Sequence, residues 1–279
     1  MSEKSYGTRI DEHNLGEFGV VRYAQWLHPD FLAEWEATKS VWLFTEAHIK
    51  ALRAFIRPGD TVIDVGAMVG YIMIPMMLAA SPGGTVLAFE PNPESFKVLQ
   101  ENALLNQHRS SIKSFNKALT EQDGTFTFHY NDNRQCNGGF VEFSSRGIGA
   151  AGCTYPVKVE GVQLKHFLEK EKLKLEKVSF IKIDTEGYDR KVLQSIDWLI
   201  AEFKPVLRVE YFPYLNMWEK KELYDTLRFL GYGIYWESRE VKYTIGEKIE
   251  SLDAFLARDF VCDMLCFYEK KETTLWVYE

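Results

Sequence analysis

Three observations predict an α/β fold with a mostly parallel sheet, helices on both faces and a last strand running antiparallel. Short apolar runs rich in β-branched residues, "TVIDVG" (61–66) and "TVLAFE" (85–90), suit parallel strands covered on both sides. From there to residue 231 strand signals mostly alternate with helix-sized segments, the pattern of a doubly covered sheet. Two final runs, "GYGIYWES" and "DMLCFYEK", have no helix-length apolar period between them, so the last strand turns back against its neighbours.

The chain has 279 residues, 46% of them hydrophobic, which is enough for a packed core without staples. Its 33 basic and 40 acidic residues leave a formal charge of −7, and no Lys/Arg run is long or aromatic-interleaved enough to track phosphates. Nucleic acid is therefore not an expected partner. Four cysteines show neither a CxxC pair nor zinc-finger spacing, which fits a reducing compartment. With no apolar leader and no run of about 18 uncharged apolar residues, a soluble, cytoplasmic protein away from membranes is expected.

Residues 1–44 are rich in aromatics, including Trp26, Phe31 and Trp35, but lack a clean period; they read as a cap region before one α/β domain, 45–279. Thr45 is a candidate N-cap, with Ile49, Leu52 and Ile56 on one helical face before "RPGD" stops the pattern. Asn92 as N-cap and Pro93 at the first helical position start another helix, with Phe96, Leu99 and Ala103 on its face. "IKSFNKAL" (112–119) reads as one strand. Residues 120–163 read as an excursion, a hairpin carrying a long loop. "VSFIKIDTEG" and "PVLRVEY" are further strands, separated by a helix bearing Tyr188, Val192, Ile196 and Leu199. A last helix presents Leu223, Leu227 and Leu230 and stops at Gly231.

In such a sheet ligands sit beyond the carboxyl ends of the strands. The residues there are Asp64 and Gly66, Glu90, Asn116, Asp184 with Glu186, and Glu210. A dinucleotide site would favour GxGxxG at the first turn; Gly66 and Gly70 are spaced GxxxG instead, after Asp64. With Glu90 ending the second strand, an adenosine without a pyrophosphate is the better match, since a carboxylate there can accept from both ribose hydroxyls. Each residue also has a plainer reading: a tight helix–strand contact for the glycines, charge complementarity with the next helix for Glu90, a turn for Asn116. Their coincidence at successive strand ends favours a ligand.

The blocks "VIDVGAMVGY", "AFEPNPESFKVLQENALLN", "NKAL" and "SFIKIDTEGYDRKVLQSI" resemble, in order and spacing, the FkbM-type S-adenosylmethionine-dependent methyltransferases, over about residues 45–212. The resemblance implies a seven-stranded class I methyltransferase (Rossmann-like) fold and methyl transfer to a hydroxyl of a sugar, glycan or secondary metabolite. It implies that Asp64, Gly66, Ala67, Gly70 and Tyr71 form the cofactor turn around the methionine end, that Glu90 beside Asn92 holds the ribose, and that Asn116 and Ala118 border the adenine. Two residues depart from the pattern. Met68 stands where family members usually carry Asn, and Pro75 lies inside the first helix, tolerable only in its first turn.

Asp184 and Glu186 lie two residues apart at the end of the fourth strand, so in an extended chain both point the same way. They are the candidates to orient or deprotonate the acceptor hydroxyl, with Glu210 beside them, and Asp184 is also expected to border the cofactor. The same carboxylates leave a divalent metal open as a less favoured reading, or a structural one in which Glu186 caps the next helix and Asp184 accepts backbone N–H bonds. His129 and His166 are weaker base candidates. The acceptor, a small molecule or carbohydrate, would meet the aromatic N-terminus and the 131–152 loop with Asn131, Asp132, Asn133, Arg134 and Gln135; the N-terminal aromatics are also a candidate surface for self-association. The competing classes are a non-catalytic binding module, suggested by Met68, an NAD-dependent oxidoreductase, and a nucleic-acid methyltransferase, against which speak "DTEG" in place of an NPPY- or DPPY-like turn and the charge of −7.

Overall fold

The computed structural model describes residues 7–27, 44–131, 140–141 and 153–269. Two antiparallel strands come first, β1 (Thr8–Asn14) and β2 (Val20–Trp26), then α1 (Glu46–Leu52). Strand and helix alternate through β3 (Thr61–Val65), α2 (Met73–Ala80), β4 (Thr85–Phe89), α3 (Pro93–Asn106) and β5 (Ser111–Phe115). An excursion follows as β6 (Ala118–Leu119), β7 (Gly124–Asn131), β8 (Phe140–Val141) and β9 (Cys153–Val162). Alternation resumes with α4 (Leu164–Lys170), β10 (Val178–Ile183), α5 (Asp189–Ser195), α6 (Asp197–Phe203), β11 (Val206–Tyr211), α7 (Met217–Phe229) and β12 (Tyr232–Glu237). The described chain closes with β13 (Ile245–Lys248), α8 (Leu252–Leu256) and β14 (Cys262–Tyr268).

The central sheet runs β13-β12-β14-β11-β10-β3-β4-β5, parallel from β5 to β11, with β14 antiparallel to both β11 and β12. Seven strands were expected, and among the described residues the sheet has eight. The extra strand, β13, is the edge segment "IGEK", whose residues are exposed or half-exposed and, with Ile245 the one large apolar side chain, carry no apolar alternation to read. Strand order reverses between β3 and β10, which opens a crevice at their carboxyl ends. Alternation along β3 feeds two cores: Val62 joins the layer of α1, α2 and α3, while Ile63 and Val65 join the layer of α4 to α8. Asp64 therefore lies on the same face as Val62, fully buried.

Local start signals are formed as read. Thr45 caps α1, its Oγ1 accepting from His48 N, and Asn92 caps α3 with Pro93 at its first position. Pro75 is the third residue of α2, where an N–H would have no intrahelical acceptor. Other readings need correction. The 112–119 run is two strands, because the Asn116 amide donates to the carbonyls of Glu90 and Pro91 (2.9 and 3.0 Å) and the chain then leaves β4 to pair with β9. The helix after "KIDTEG" is two helices broken at Ile196, where Ser195 Oγ donates back to Val192 O at 2.8 Å. On α3 the buried face is Ser95, Val98, Leu99, Asn102, Ala103 and Asn106, with Phe96 only half-buried, because the chain that covers it is the β1–β2 hairpin.

That hairpin replaces the patternless start of the cap region; Trp26 within it is core, 2% exposed. Phe31, Trp35 and the loop residues Asp132, Asn133, Arg134 and Gln135 lie outside the described residues. Within 120–163, β7 and β9 pair antiparallel, and most of the loop expected between them lies outside the described residues. Among the described residues no helix is long and apolar enough to cross a membrane.

Candidate active site

Sheet register sets Ala88, Asp64, Lys182 and Arg208 side by side across β4, β3, β10 and β11. Two cations adjacent in a buried row need acids, and both have them. Lys182 Nζ lies 3.3 Å from Asp64 Oδ1 and 3.4 Å from Asp184 Oδ2, and donates to the carbonyls of Val65 (3.3 Å) and Gly66 (2.5 Å). Arg208 makes a two-pronged contact with Glu237 (3.0 and 2.9 Å) and reaches Asp263 at 2.5 Å. Burial works against the Lys182 charge, but Asp184 and Asp64 outweigh it and push the ammonium above its ordinary range. Burial raises the Asp64 carboxyl, with Lys182 opposing. Neither Lys182 nor Arg208 was singled out from the sequence. The signal was present, as one charge inside each of two apolar strands, "SFIKI" and "PVLRV".

At the carboxyl edge of this row lies a cavity of about 360 Å³, within the range of small-molecule sites. Of the residues expected to meet a cofactor, Gly66, Ala67, Tyr71, Glu90, Ala118 and Asp184 line it. Gly66, at φ +75°, must be glycine: a Cβ would lie 1.9 Å from the Asp184 carbonyl oxygen. Glu90 is 4% exposed, Oε2 accepting from Met68 N (2.8 Å) and Oε1 from Asn92 N (2.7 Å). Burial pushes its carboxyl up to about 7 against the pull of those two N–H groups. Four expected residues act from behind the wall. Asp64 partners Lys182, Gly70 lets α3 approach the turn, Asn92 caps α3, and Asn116 holds the chain after β4. Met68 has φ +52°, the left-handed region that Asn tolerates and Met resists.

Toward β10 and β11 the cavity is lined by Asp184, Glu186, Glu210, Arg208, Lys242 and Asp263, and Phe44 and His48 also line it. One carboxylate oxygen from each of Asp184, Glu186 and Glu210 lies within 4.8 Å of the others. They meet through a turn and not through strand alternation, since β10 ends at Ile183 and Glu186 has φ +55°. Glu210 Oε2 accepts from Glu186 N at 3.1 Å and so holds that turn. Burial, then Asp184 and Glu186, push the Glu210 carboxyl well above the carboxylate range. Asp189, unremarked in the sequence, accepts from Thr185 N (3.1 Å) and Gly187 N (3.0 Å), and its carboxyl rises to about 7 through burial and Asp184. The N-cap position of the next helix is Tyr188 and not Glu186, since that helix starts at Asp189. His129 sits on the opposite strand face from Phe128 and Tyr130, which line the cavity, and His166 is exposed beside Asp123.

A doubly wound sheet in this strand order, with an acid-held crevice at its switch point, defines a protein of the class I methyltransferase architecture. The Methyltransferase FkbM domain matches residues 64–260, and the chain belongs to that family. Over 156 residues it is 29% identical to Methyltransferase sdnD of Sordaria araneosa, covering 49% of this chain and 60% of that protein. It is 42% identical over 69 residues to the 31-O-demethyl-FK506 methyltransferase FkbM of Streptomyces tacrolimicus, 25% of each chain. It is likewise 42% identical over 74 residues to the tRNA (guanine(37)-N(1))-methyltransferase of Saccharomyces cerevisiae, 26% of this chain and 14% of that one. The chain thus spans less than two thirds of each of these relatives. Among solved structures, the methyltransferase FkbM from Methylobacillus flagellatus KT aligns with a TM-score of 0.45 at 15% identity, over 80% of this chain and 51% of that one.

Proposed function

We propose that this chain is an S-adenosylmethionine-dependent methyltransferase acting on a hydroxyl of a sugar, glycan or secondary metabolite. The observation that carries the reading is Glu90, a buried acid facing the cavity whose oxygens are fixed by two backbone N–H groups. Each carboxylate oxygen keeps acceptor capacity for a ribose hydroxyl. Ala118 and Leu119 add an apolar border suited to an adenine, and Gly66 brings the backbone close without a side chain. The residues fit the cofactor.

The cofactor supplies an electrophilic methyl carbon whose leaving group is a neutral thioether. What the chain must add is position and a proton acceptor, and holding the acceptor oxygen in line supplies most of the catalysis. Asp184 and Glu186 face that end of the cavity. In this reading they align the hydroxyl and take its proton as the new O–C bond forms, while Lys182 holds Asp184 and Glu210 holds the Glu186 turn. A divalent cation on the three carboxylates is the second reading, favoured by their convergence; Lys182 already supplies a cation beside Asp184 and makes it the lesser one.

The Streptomyces tacrolimicus relative is named for transfer at an oxygen and the yeast relative for transfer at a guanine nitrogen. The formal charge of −7 weighs against a tRNA acceptor. Thermal-shift titration with S-adenosylhomocysteine and with NADH separates the methyltransferase from an oxidoreductase. Mass spectrometry of a panel of hydroxylated glycans, secondary metabolites and tRNA then identifies the acceptor; methylation of tRNA alone would overturn the hydroxyl reading, and cofactor binding without turnover would leave a binding module.

A further inference from the structure

The family match begins at residue 64, yet the turn after β3 leans on chain that comes before it. β2 lies along α3, and two buried asparagines one helical turn apart, Asn102 and Asn106, bind its backbone. Asn102 Oδ1 accepts from Ala24 N at 2.6 Å, and its Nδ2 donates both to Ala24 O at 3.1 Å and to Val69 O at 2.8 Å. One amide thus ties the hairpin to the middle of the cofactor turn. Beside Ala24, the Tyr23 ring stacks on Tyr71 with centroids 5.5 Å apart and planes 24° from parallel. Tyr71 lines the cavity, as does Phe44, whose ring meets Tyr23 edge-on at 6.1 Å.

The turn has reason to need such an anchor. Gly66, Met68 and Gly70 all have positive φ, and at Met68 that conformation is strained. A Cβ at Gly70 would lie 3.1 Å from Met73 Cε and 3.6 Å from Asn102 Cβ, so turn and helix are packed as closely as glycine permits. The far end of the hairpin is fastened separately. Asn106 Nδ2 donates to Arg22 O at 2.8 Å, and Arg109 donates to Phe18 O at 2.8 Å and Val20 O at 2.5 Å, none of them on the turn.

We propose that the N-terminal hairpin is a working part of the cofactor pocket, Asn102 and Tyr23 acting as positioning residues that hold the Val69–Tyr71 turn in its ligand-ready form. Pre-organisation of this kind lowers the ordering cost of binding. The proposal rests on the methyltransferase reading for its ligand, but the ordering of the turn can be measured without one.

The test uses the full chain and three variants, Asn102→Asp, Tyr23→Leu and Arg109→Ala. Calorimetry with S-adenosylhomocysteine gives Kd, thermal unfolding gives Tm, and hydrogen exchange of amides 68–72 in ligand-free protein reports the turn. Asn102→Asp keeps the acceptor for Ala24 N and removes both donors; it and Tyr23→Leu are expected to speed exchange at 68–72 and weaken binding about five- to tenfold. Arg109→Ala is expected to lower Tm while leaving Kd within about twofold. The proposal is overturned if Kd and exchange follow Tm alike in all variants, or if Asn102→Asp and Tyr23→Leu leave both unchanged. Should the unmodified protein not bind S-adenosylhomocysteine, the methyltransferase reading fails, and the exchange data alone decide whether the hairpin orders the turn.

Discussion

The two ends of the cavity are built on different physics. At the β4 end a single acid, Glu90, is fixed by backbone N–H groups of Met68 and Asn92. At the β10–β11 end Glu210 feels Asp184, Glu186, Asp189 and Asp263, in a sheet row whose cations are Lys182 and Arg208. Backbone donors cannot titrate or swing away, so the first end is a fixed receptor. Crowded side-chain carboxylates offer proton acceptors, so under the proposed function the second end is where the hydroxyl proton goes. Under the proposed function, binding and reactivity rest on different strands of one sheet and are separable by mutation.

The harshest way to break this division is Lys182→Met. It leaves Asp64 buried without its cation and frees Asp184, and unpairing a buried charge costs about 3–5 kcal/mol. Chemical denaturation should show that loss together with a weakened turn at Gly66. Next, Glu186→Gln and Asp184→Asn should each lower kcat about a hundredfold or more, Glu186→Gln with the Kd for S-adenosylhomocysteine nearly unchanged. Turnover at the native level in both would remove the proton-acceptor assignment, and turnover that survives EDTA dialysis would remove the cation reading.

Glu90→Gln should do the reverse, weakening cofactor affinity by about 1.5–3 kcal/mol with the β10 acids undisturbed. A pH titration sharpens the same point. The Glu90 carboxyl of the ligand-free protein sits near 7 and the ligand needs the carboxylate, so affinity should fall as pH drops below about 7. The sign for stability is opposite: a raised carboxyl favours the fold most below its ordinary value of 4.5, and that advantage is lost as pH climbs through about 7. Unfolding free energies across that window, with Glu90→Gln as reference, check it. The smallest effect is Met68→Asn, which relieves the left-handed strain at φ +52° and should stabilise by about 1 kcal/mol.

Much of the fixed receptor was legible because its signals are short-range. Thr45, Asn92 and Pro93 start helices by chemistry confined to one turn, and "DVGAMVG" announces a turn by its glycines. Less of the reactive end was legible. Asp184, Glu186 and Glu210 could be named from strand ends, but their convergence depends on the left-handed Glu186 and on Asp189 collecting the Thr185 and Gly187 N–H groups. The hairpin escaped notice because β1, "TRIDEHN", is polar and largely exposed, so no apolar alternation marks it.

The sequence by itself determined the alternation of strands and helices, the acids at the strand ends and the glycine turn between them, since these depend on residue type and near-neighbour spacing. Only the tertiary structure decided which buried charges are neighbours. Asp64, Lys182 and Arg208 are adjacent through sheet register, and Glu237 and Asp263 reach Arg208 from β12 and β14. It also decided that Ala24 and Val69, 45 residues apart in the chain, share one asparagine. Register and long-range hydrogen bonds follow from how whole elements pack, and no local pattern encodes them.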